Sequence, residues 1–546
     1  MLVEIHMLQN LCPSNPNRDE LGAPKTAVFG GKLRARISSQ CLKRAIRGGR
    51  NPKAPDDPVG IFQEAMHGRV GIRTKLFPKL VEEELKSSSI PPGEHAQVVA
   101  ACCSIARAES KTGGGQGGGE AATAEPRTAQ LIFLGPHEAA EFVRRLAAAA
   151  NSMKPEYKMF LDPVATFQDV VRERLEADGR FGEREHKRIL GACWPLAKGL
   201  RDQRRADADG ADPGGAEGAN GPLPGDEPLG PADADAFLGW LSEMDPKDRS
   251  AALNRPKDKK EWPKPITDGQ RKKLKMREFY ACLRGAGPDG VPPPNGVDIA
   301  LFGRMTTSDA FENVEAAMQV AHAISTNELT PEVDYFTAVD DLGEGPEASH
   351  IGETQHNSST FYKYFSLDWD ALLRNLGGGH RAKQGAALTE EQLENNAKAL
   401  ALAGRTLRAF LEASACSLPS GKRNSFGNSC LPDGVLVEVK GRKIPTNYAN
   451  AFLAPAEPRR DADGFHDWME DSIRKLAHYV DSVATGYCLP AARWWYTTRP
   501  EIPFTGPGRA DGSGGGRRLA EPCATFPELL DKVLGALGVP SGEEHQ

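Results

Sequence analysis

The sequence lacks the short motifs that mark the common metal and nucleotide sites. Its ten cysteines are scattered through 546 residues without one Cys-x-x-Cys pair, and no His-Glu-x-x-His occurs. No Gly-Lys-Ser or Gly-Lys-Thr follows the spacing of a P-loop. Scattered cysteines without ligand spacing are typical of a reducing cytosol rather than of a disulfide framework. We therefore expect a protein without a bound metal or other cofactor.

Long apolar runs are also missing. The start, Met1 to His6, has no basic segment followed by an apolar one, as a secretory signal would have. No stretch approaches the ~20 apolar residues of a membrane span. We expect a soluble, cytoplasmic protein with no membrane partner.

The size and charge of the chain leave nucleic-acid binding open. A chain of 546 residues exceeds the ~250–300 at which single cores stop growing, so we expect several structural units or one unit with large insertions. The net charge is -6, but the position of the charge matters more than its sum. Residues 1–50 carry nine Lys and Arg against three Asp and Glu, so this part of the chain is basic.

Two segments interrupt the regular patterns. Residues 111–120 are Gly-rich, and residues 206–235 contain eight acids, no bases and many Gly and Pro. Both compositions predict disordered loops. Residues 246–284 then hold thirteen Lys and Arg against five Asp and Glu, which fits either a solvated face or an additional contact with DNA. The pattern as a whole predicts an α+β core split by a long, mostly helical insertion.

Several segments have a clear periodicity. Val3, Ile5 and Met7 alternate with other residues, which predicts a strand. The apolar positions of 313–326 recur at helical spacing, which predicts an amphipathic helix. Residues 332–340 and 360–367 are aromatic and β-branched, and the polar stretch 343–355 between them predicts a hairpin with a long loop. A further strand is predicted at 431–440.

The most informative segment is Arg34 to Gly49. Either Ser38 or Ser39 can cap a helix that Gly48 would end. One face of that helix would pack on the core, and the start of the helix would favour an anion. A phosphate backbone would meet both the cations and the helix start, although a solvated basic face is the alternative. The polar face carries Gln40, Lys43, Arg44 and Arg47, and the apolar face carries Leu42, Ala45 and Ile46.

At this point the sequence resembles a known family. The run from Ser14 to Arg47, with Asn17-Arg18-Asp19, Phe29-Gly30-Gly31 and Arg36-Ile-Ser-Ser-Gln40, closely resembles the CasC family, the backbone subunit of the type I-E CRISPR Cascade. Similar blocks follow in family order: 297–305, 321–326, 334–342, 431–437 and 447–452. The resemblance covers roughly residues 1–50 and 295–455.

The resemblance implies a fold like a right hand. The palm would be RNA-recognition-motif-like (ferredoxin-like), formed by residues 1–50 and 296–546. The fingers would be the helical insertion 51–295, and the thumb a β-hairpin at 327–361. Copies would stack head to tail along the guide RNA (crRNA), kink it periodically and leave its bases free to pair with target DNA, in antiviral defence. The implied partners are crRNA, target DNA, other copies of the chain and other Cascade subunits.

The same resemblance implies the RNA site. Guide phosphates and sugars would meet Lys25, Ser38, Gln40, Lys43 and Arg47. Two apolar side chains, Met305 and Phe336, would wedge into the kink, although core packing of Met305 and an ordinary hairpin-face position of Phe336 are alternatives. The remaining candidates for RNA contact are Arg18, Lys32, Ser39, Arg44, Lys422 and Arg423.

The resemblance also raises the alternative of an RNA-cleaving enzyme. Backbone subunits of type III complexes resemble this family and cut target RNA with a loop aspartate, for which Asp19 is the candidate here. Because no general acid or metal set accompanies Asp19, we expect no catalytic residue and no enzyme.

His350 and His356 invite a zinc interpretation, but without further ligands at the right spacing we expect loop histidines. The RNP1 pattern of ordinary RNA-recognition motifs is absent, so base stacking on sheet aromatics is not predicted.

Overall fold

A computed structural model describes most of the chain outside the centre of the insertion. The described residues are 1–48, 60–104, 127–128, 131–136, 138–151, 296–306, 311, 313–339, 348–382, 387–461, 464–506 and 517–540, with single positions between 171 and 242. The predicted loops 111–120 and 206–235 and the basic segment 246–284 lie outside them.

Mixed α/β architecture is built around one large sheet. In the described part of the chain this sheet has ten strands, in the order β14-β13-β10-β1-β9-β7-β3-β2, with β6 and β8 also paired to β9. All pairs are antiparallel except β13 with β14. Two small sheets pair β4 with β5 and β11 with β12. The strands are β1 Leu2–Ser14, β2 Thr26–Phe29, β3 Lys32–Ile37, β4 Ile72–Thr74, β5 Ile132–Leu134, β6 Met318–Val320, β7 Ala323–Ser325, β8 Glu332–Val339, β9 Ala348–Asp368, β10 Gly434–Lys440, β11 Arg459–Asp461, β12 Gly464–His466, β13 Ala492–Thr497 and β14 Glu521–Cys523.

Helices cover both faces of the large sheet and form much of the described part of the insertion. Short 3-10 helices occur at Pro92–Glu94 and Tyr448–Phe452. The α-helices are α1 Ser39–Arg47, α2 Ile61–Ala65, α3 Phe77–Leu85, α4 His95–Ser104, α5 Glu138–Asn151, α6 Val297–Phe302, α7 Trp369–Asn375, α8 Glu390–Cys416, α9 Arg423–Phe426, α10 Trp468–Gly486 and α11 Phe526–Ala536. None of the helices in the described part is both long and apolar enough to cross a membrane.

Strand β1 lies at the centre of the sheet and is buried on both sides. Val3, Ile5 and Met7 pack into the core shared with α8 and α11, as their alternation predicted. The intervening residues are buried too, and Leu8 packs into a second core with α10. Since a strand between two helical layers has no solvent face, polar side chains such as His6 must find partners inside the protein, and the Nδ1 of His6 lies 2.8 Å from the Tyr362 hydroxyl.

Helix α1 forms as its sequence predicts. Ser38 is the N-cap, and its hydroxyl accepts a hydrogen bond from the Cys41 N–H at 3.4 Å. Gly48 follows the helix with φ 79°, a backbone conformation that glycine adopts without strain. Leu42 and Ile46 are buried. These apolar contacts fix the rotation of the helix, so its polar residues point away from the core.

The helix predicted at 313–326 is wrong. The segment instead forms β6 and β7, which pair with β9 through Met318↔Leu367 and Ile324↔Tyr362. Its helical spacing of apolar residues was compatible with either structure in so short a stretch. Strand β9 offers a row of backbone N–H and C=O groups along this edge, and pairing satisfies them.

The hairpin at 327–361 has a longer second strand than the sequence predicts. Strand β9 begins at Ala348, so most of the stretch 343–355, which we predicted as a loop, pairs with β8. His350 and His356 therefore lie in a strand rather than in a loop. The polar composition of the outer part of β9 is tolerated because β8, its partner there, is exposed along its length.

The described part of the insertion has its own small core. Helices α3, α4 and α5 and strands β4 and β5 enclose an apolar cluster that includes Phe77, Val81, Ile132 and Leu146. Aromatic edges stabilise it, since Phe77 meets Phe142 edge-on at 5.4 Å between ring centres. The insertion can therefore hold its own shape, and its orientation depends on the contacts that join it to the sheet.

Buried Lys363 predicts a pH-dependent stability. This side chain on β9 is 1% exposed, donates to the Ser414 carbonyl at 2.9 Å, and has its pKa lowered to about 7 by burial. Between pH 7 and 10.5 the unfolded state binds more protons, so the contribution of Lys363 to the free energy of unfolding should rise with pH, by at most about 1.4 kcal/mol per pH unit.

The measurement is urea unfolding of the wild type and of Lys363→Met across that pH range. Lys363→Met should gain most stability over the wild type near pH 7, and its advantage should shrink as pH rises. The other titrating groups are common to both proteins, so their contributions cancel in the difference between the two free energies of unfolding. A difference that does not change with pH would show that Lys363 is charged in the folded state.

Candidate nucleic-acid interface

Helix α1 presents the predicted polar face to solvent. Gln40 and Arg44 are exposed, and Lys43 is partly buried, with its ammonium nitrogen 5.7 Å from the centre of the Phe302 ring. Burial, and after it repulsion from Arg73, lowers the pKa of Lys43. No ion pair engages Arg44 in the part of the chain that the structure describes. These side chains can meet a negatively charged ligand without first breaking a salt bridge.

The start of α1 carries a further group of polar side chains. Asn17 Oδ1 accepts the Ser38 N–H at 2.8 Å, and His322 Nδ1 accepts the Ser39 N–H at 3.1 Å. The His322 pKa is lowered by burial and by the nearby charges of Arg36 and Lys25. These side chains thus accept the Ser38 and Ser39 N–H groups, while the helix dipole and the nearby charges of Arg36 and Lys25 favour an anion at the helix start.

Arg36 and His322 are site residues that we did not predict. Both stand in the motif runs that carry the family resemblance, Arg36-Ile-Ser-Ser-Gln40 and Ala321 to Thr326. Nothing in the sequence pairs them, because 285 residues separate them and only the register Arg36↔Ile324 brings β3 beside β7. Sheet pairing therefore creates this part of the cluster.

Arg47 differs from the other cations of α1. Its side chain is 17% exposed, forms an ion pair with the fully buried Asp298 and donates to the Gly71 carbonyl. The guanidinium also lies 4.7 Å from the centre of the Phe133 ring. Most of its donor capacity is thus used inside the protein, and its predicted contact with a guide stays a prediction.

The remaining predicted cations lie on neighbouring loops. Lys25 is partly buried next to α1, and Lys32 pairs with Glu328 at 3.0 Å on the surface. Lys422 Nζ donates to Thr354 Oγ1 at 2.7 Å, whereas Arg423 is exposed. Such a surface pair as Lys32–Glu328 contributes little stability, so either partner can exchange it for another contact.

Asp19 lies in a tight turn beside Arg18. Its Oδ1 accepts the N–H groups of Leu21 and Ala23, each at 2.9 Å, and Arg18 forms a bridge with Pro24. This turn lines a shallow cleft together with Gly421. The carboxylate therefore has a structural task in holding the turn.

Three segments meet at the root of the hairpin formed by β8 and β9. Asn15 Nδ2 donates to the carbonyls of Gln355 and Gly22, each at 2.9 Å. Lys422 reaches Thr354 from the other loop, and the rings of His356 and Phe426 lie 5.5 Å apart. His356 Nε2 is also 3.4 Å from the Glu332 carboxylate. The root is thus anchored to the same loops that carry Arg18, Lys25 and Arg423.

The two predicted wedge residues are both available at the surface. Met305 is 94% exposed, so core packing of this side chain is wrong. Phe336 is 47% exposed and lies across Gly352, where an added Cβ would stand 2.4 Å from its ring. Glycine opposite an aromatic residue leaves room for the ring to lie flat on the partner strand. The hairpin presents Phe336 in a defined position.

The arrangement suits a polyanion better than a small molecule. Exposed cations and amides line α1 and the loops beside it, and exposed apolar side chains lie on separate elements. Among the described residues no group of His, Cys, Asp and Glu is placed to hold a metal ion. Such a surface can neutralise phosphates and contact bases.

One family model matches most of the sequence. The model of the CT1975-like protein family, designated Cas_CT1975, matches residues 3–188 and 237–509. No curated protein matches the sequence.

Solved structures resemble the fold at low sequence identity. A chain described as "CRISPR RNA-guided surveillance complex, pre-nicking" is 22% identical, with a TM-score of 0.52, and the match covers 98% of this chain and 100% of that one. Another, described as "CRISPR RNA-guided surveillance complex", is 18% identical, with a TM-score of 0.42 and the same coverage.

Substituting the exposed apolar residues should leave the fold intact. Met305→Ala removes a side chain that is 94% exposed, so the free energy of unfolding should change by no more than about 0.5 kcal/mol. Buried Phe365 provides the matched control, because Phe365→Ala should cost about 3–5 kcal/mol. Urea unfolding measures both. A large loss of stability in Met305→Ala would mean that the residue packs against a segment of the protein.

Proposed function

The chain belongs to the CT1975-like family of Cas proteins, and from that premise we propose that it is the crRNA-binding backbone subunit of a type I-E Cascade. The proposed subunit polymerises head to tail along the guide, kinks it at intervals and presents its bases to target DNA. The observation that carries the proposal is the exposed, cationic face of α1 beside the sheet.

Strand order supports an RNA-recognition-motif-like palm. The central strands run β10-β1-β9-β7, and α1 and α8 contribute to one core on the same face of them. In chain order this is strand, helix, two strands, helix, strand, which is the ferredoxin-like arrangement. In the proposed fold, the described helices between 60 and 151 belong to the fingers. Strand β8 and the outer part of β9 are the thumb.

The cations of α1 and its neighbours suit a sugar–phosphate backbone. Lys25, Arg44 and Lys43 supply charge, Gln40 supplies an amide, and the dipole of α1 favours an anion at the helix start. Contacts with sugars and phosphates bind a guide RNA of any sequence, so the target is recognised only by base pairing between guide and target. This division suits a subunit that must accept every guide.

The wedge residues supply the kink. An apolar side chain that enters a base step replaces part of the stacking it disrupts, and Met305 and Phe336 are exposed enough to do so. Hairpin and palm lie at different places on the surface, so the thumb of one copy can act on RNA held by the next. Such a heterologous contact builds filaments, and the guide sets their length. The proposed partners are crRNA, target DNA, other copies of the chain and other Cascade subunits.

The proposed role is not enzymatic. Asp19 is the candidate for RNA cleavage, but its Oδ1 holds the turn at Leu21 and Ala23. Cleavage of a complementary RNA in the presence of magnesium, lost in Asp19→Ala, would favour the enzymatic alternative.

Charge reversal tests the RNA site. Lys25→Glu with Arg44→Glu should abolish guide retention while the isolated protein keeps its melting temperature, because neither side chain forms an ion pair with another described residue. For the wild type, log K should fall with log salt by about 0.7 per phosphate contact on a single strand. The matched control reverses Lys86 and Arg442, two exposed cations away from α1. Normal guide retention in the first variant, or salt-independent binding, would contradict the proposal.

Shortening the thumb tests the kink. Tyr335 and Glu353 face each other in the β8–β9 ladder, so an Asn-Gly turn can replace residues 336–352 without changing the register. The protein should fold and bind guide RNA, but regularly spaced nuclease protection of the guide should be lost. Footprinting of the assembled complex measures this. A regular footprint from the shortened protein would contradict a role of the thumb in spacing the kinks.

A further inference from the structure

The junction between the sheet and the insertion contains a crowded group of charges. The chain leaves the sheet region at 69–73 and returns at 296–298, beside the end of α1. Asp298 is fully buried there and accepts the Gly71 N–H at 2.8 Å, the Ile299 N–H at 3.1 Å and the side chain of Arg47. Its acceptor capacity is therefore largely used within the protein.

Arg47 serves this junction rather than the surface. Its guanidinium contacts the buried carboxylate of Asp298 and the Gly71 carbonyl. It therefore links α1 both to the segment that enters the insertion and to the segment that leaves it. Removing it would leave Asp298 buried without its cation, a change that is strongly destabilising.

Arg73 lies at the same place but faces outward. It stands opposite Phe133 in the β4–β5 pair, and its guanidinium lies 4.7 Å from the centre of the Phe133 ring. The Arg47 guanidinium lies at the same distance from that ring. Unlike Arg47, Arg73 is exposed and forms no ion pair in the part of the chain that the structure describes. The aromatic contact orients it without using its N–H donors.

Several positive charges lie close together at this junction. Burial, and then repulsion from Arg47 and Arg44, lowers the pKa of Arg73, while Asp298 acts in the opposite direction. Burial and repulsion from Arg73 likewise lower the pKa of Lys43. Arg73 is thus close to the cations near the end of α1, Lys43, Arg44 and Arg47, of which Arg47 is paired with Asp298. An anion placed between Arg73, Lys43 and Arg44 would relieve this repulsion.

We propose that Arg73 binds a backbone phosphate of the guide RNA together with Lys43 and Arg44, so that the RNA site extends from the palm onto the first strand of the insertion. Arg47 is then a positioning residue, and Arg73 supplies the exposed guanidinium at this end of α1. The inference rests on the proposed function and adds to it a residue of the insertion. An arginine suits the task because its planar fork can donate two parallel hydrogen bonds to one phosphate.

The test compares Arg73→Ala with Arg47→Ala in the full-length chain. Binding of a fluorescently labelled single-stranded guide RNA is measured by anisotropy over a series of KCl concentrations, and melting temperature is measured in parallel. Arg73→Ala should keep the melting temperature, bind roughly tenfold more weakly at the lowest salt, and reduce the salt slope by about 0.7, the value for one lost phosphate contact. Arg73→Lys should restore the slope. Lys75→Ala, an exposed cation two residues away, is the matched control and should bind as the wild type does.

The outcomes separate this inference from the proposed function. Wild-type binding and slope in Arg73→Ala, with binding lost in Lys25→Glu/Arg44→Glu, would overturn the inference and leave the proposed function standing. Unchanged binding in both variants would overturn both. A melting temperature lowered as far in Arg73→Ala as in Arg47→Ala would assign Arg73 to the junction and would also overturn the inference.

Discussion

The buried carboxylate of Asp298 is the interaction on which the arrangement of sheet and insertion depends. It receives donors from helix α1, from the chain entering the insertion at Gly71 and from its own helix α6. Burying an unpaired carboxylate costs several kcal/mol, so these segments are stable in this position only when all of them are present. Close packing adds a second constraint, because a Cβ on Gly71 would stand 2.5 Å from the Leu134 carbonyl oxygen. The Arg304–Glu138 ion pair ties the same two regions at a second point.

This junction in turn determines which cations can face a ligand. Because Leu42 and Ile46 are held in the core, α1 cannot rotate, and its remaining side chains divide between the junction and solvent. Arg47 is taken by Asp298, while Gln40 and Arg44 stay exposed. The loops around the helix start and the hairpin root are tied together by side-chain hydrogen bonds to backbone, of which Asn15 provides two. The cationic surface and the root of the hairpin are therefore held in a fixed relation.

Local signals predicted several elements, and where they failed the reason was physical. Helix α1 was predictable because Ser38, the spacing of Leu42 and Ile46, and Gly48 all favour the same structure. Strand β1 was predictable from its alternation, although its second buried face was not, since His6 and Glu4 are hydrophilic residues whose partners lie hundreds of residues away. The stretch 313–326 was mispredicted as a helix because its apolar spacing could not reveal the free edge of β9, and backbone pairing with that edge decided the outcome.

The sequence by itself determined which residues of α1 are polar, where the helix begins and ends, and that the hairpin carries an aromatic residue at Phe336. It also determined which side of α1 packs on the core, since an amphipathic helix buries its apolar side. Only the tertiary structure decided that Arg47 faces Asp298 and that Arg73 stands beside it at the surface, because Arg47 and Asp298 are 251 positions apart in the chain. Periodicity assigns a residue to a face, but the partner that covers the face comes from distant segments, and only their packing places a second cation or an acid next to the first.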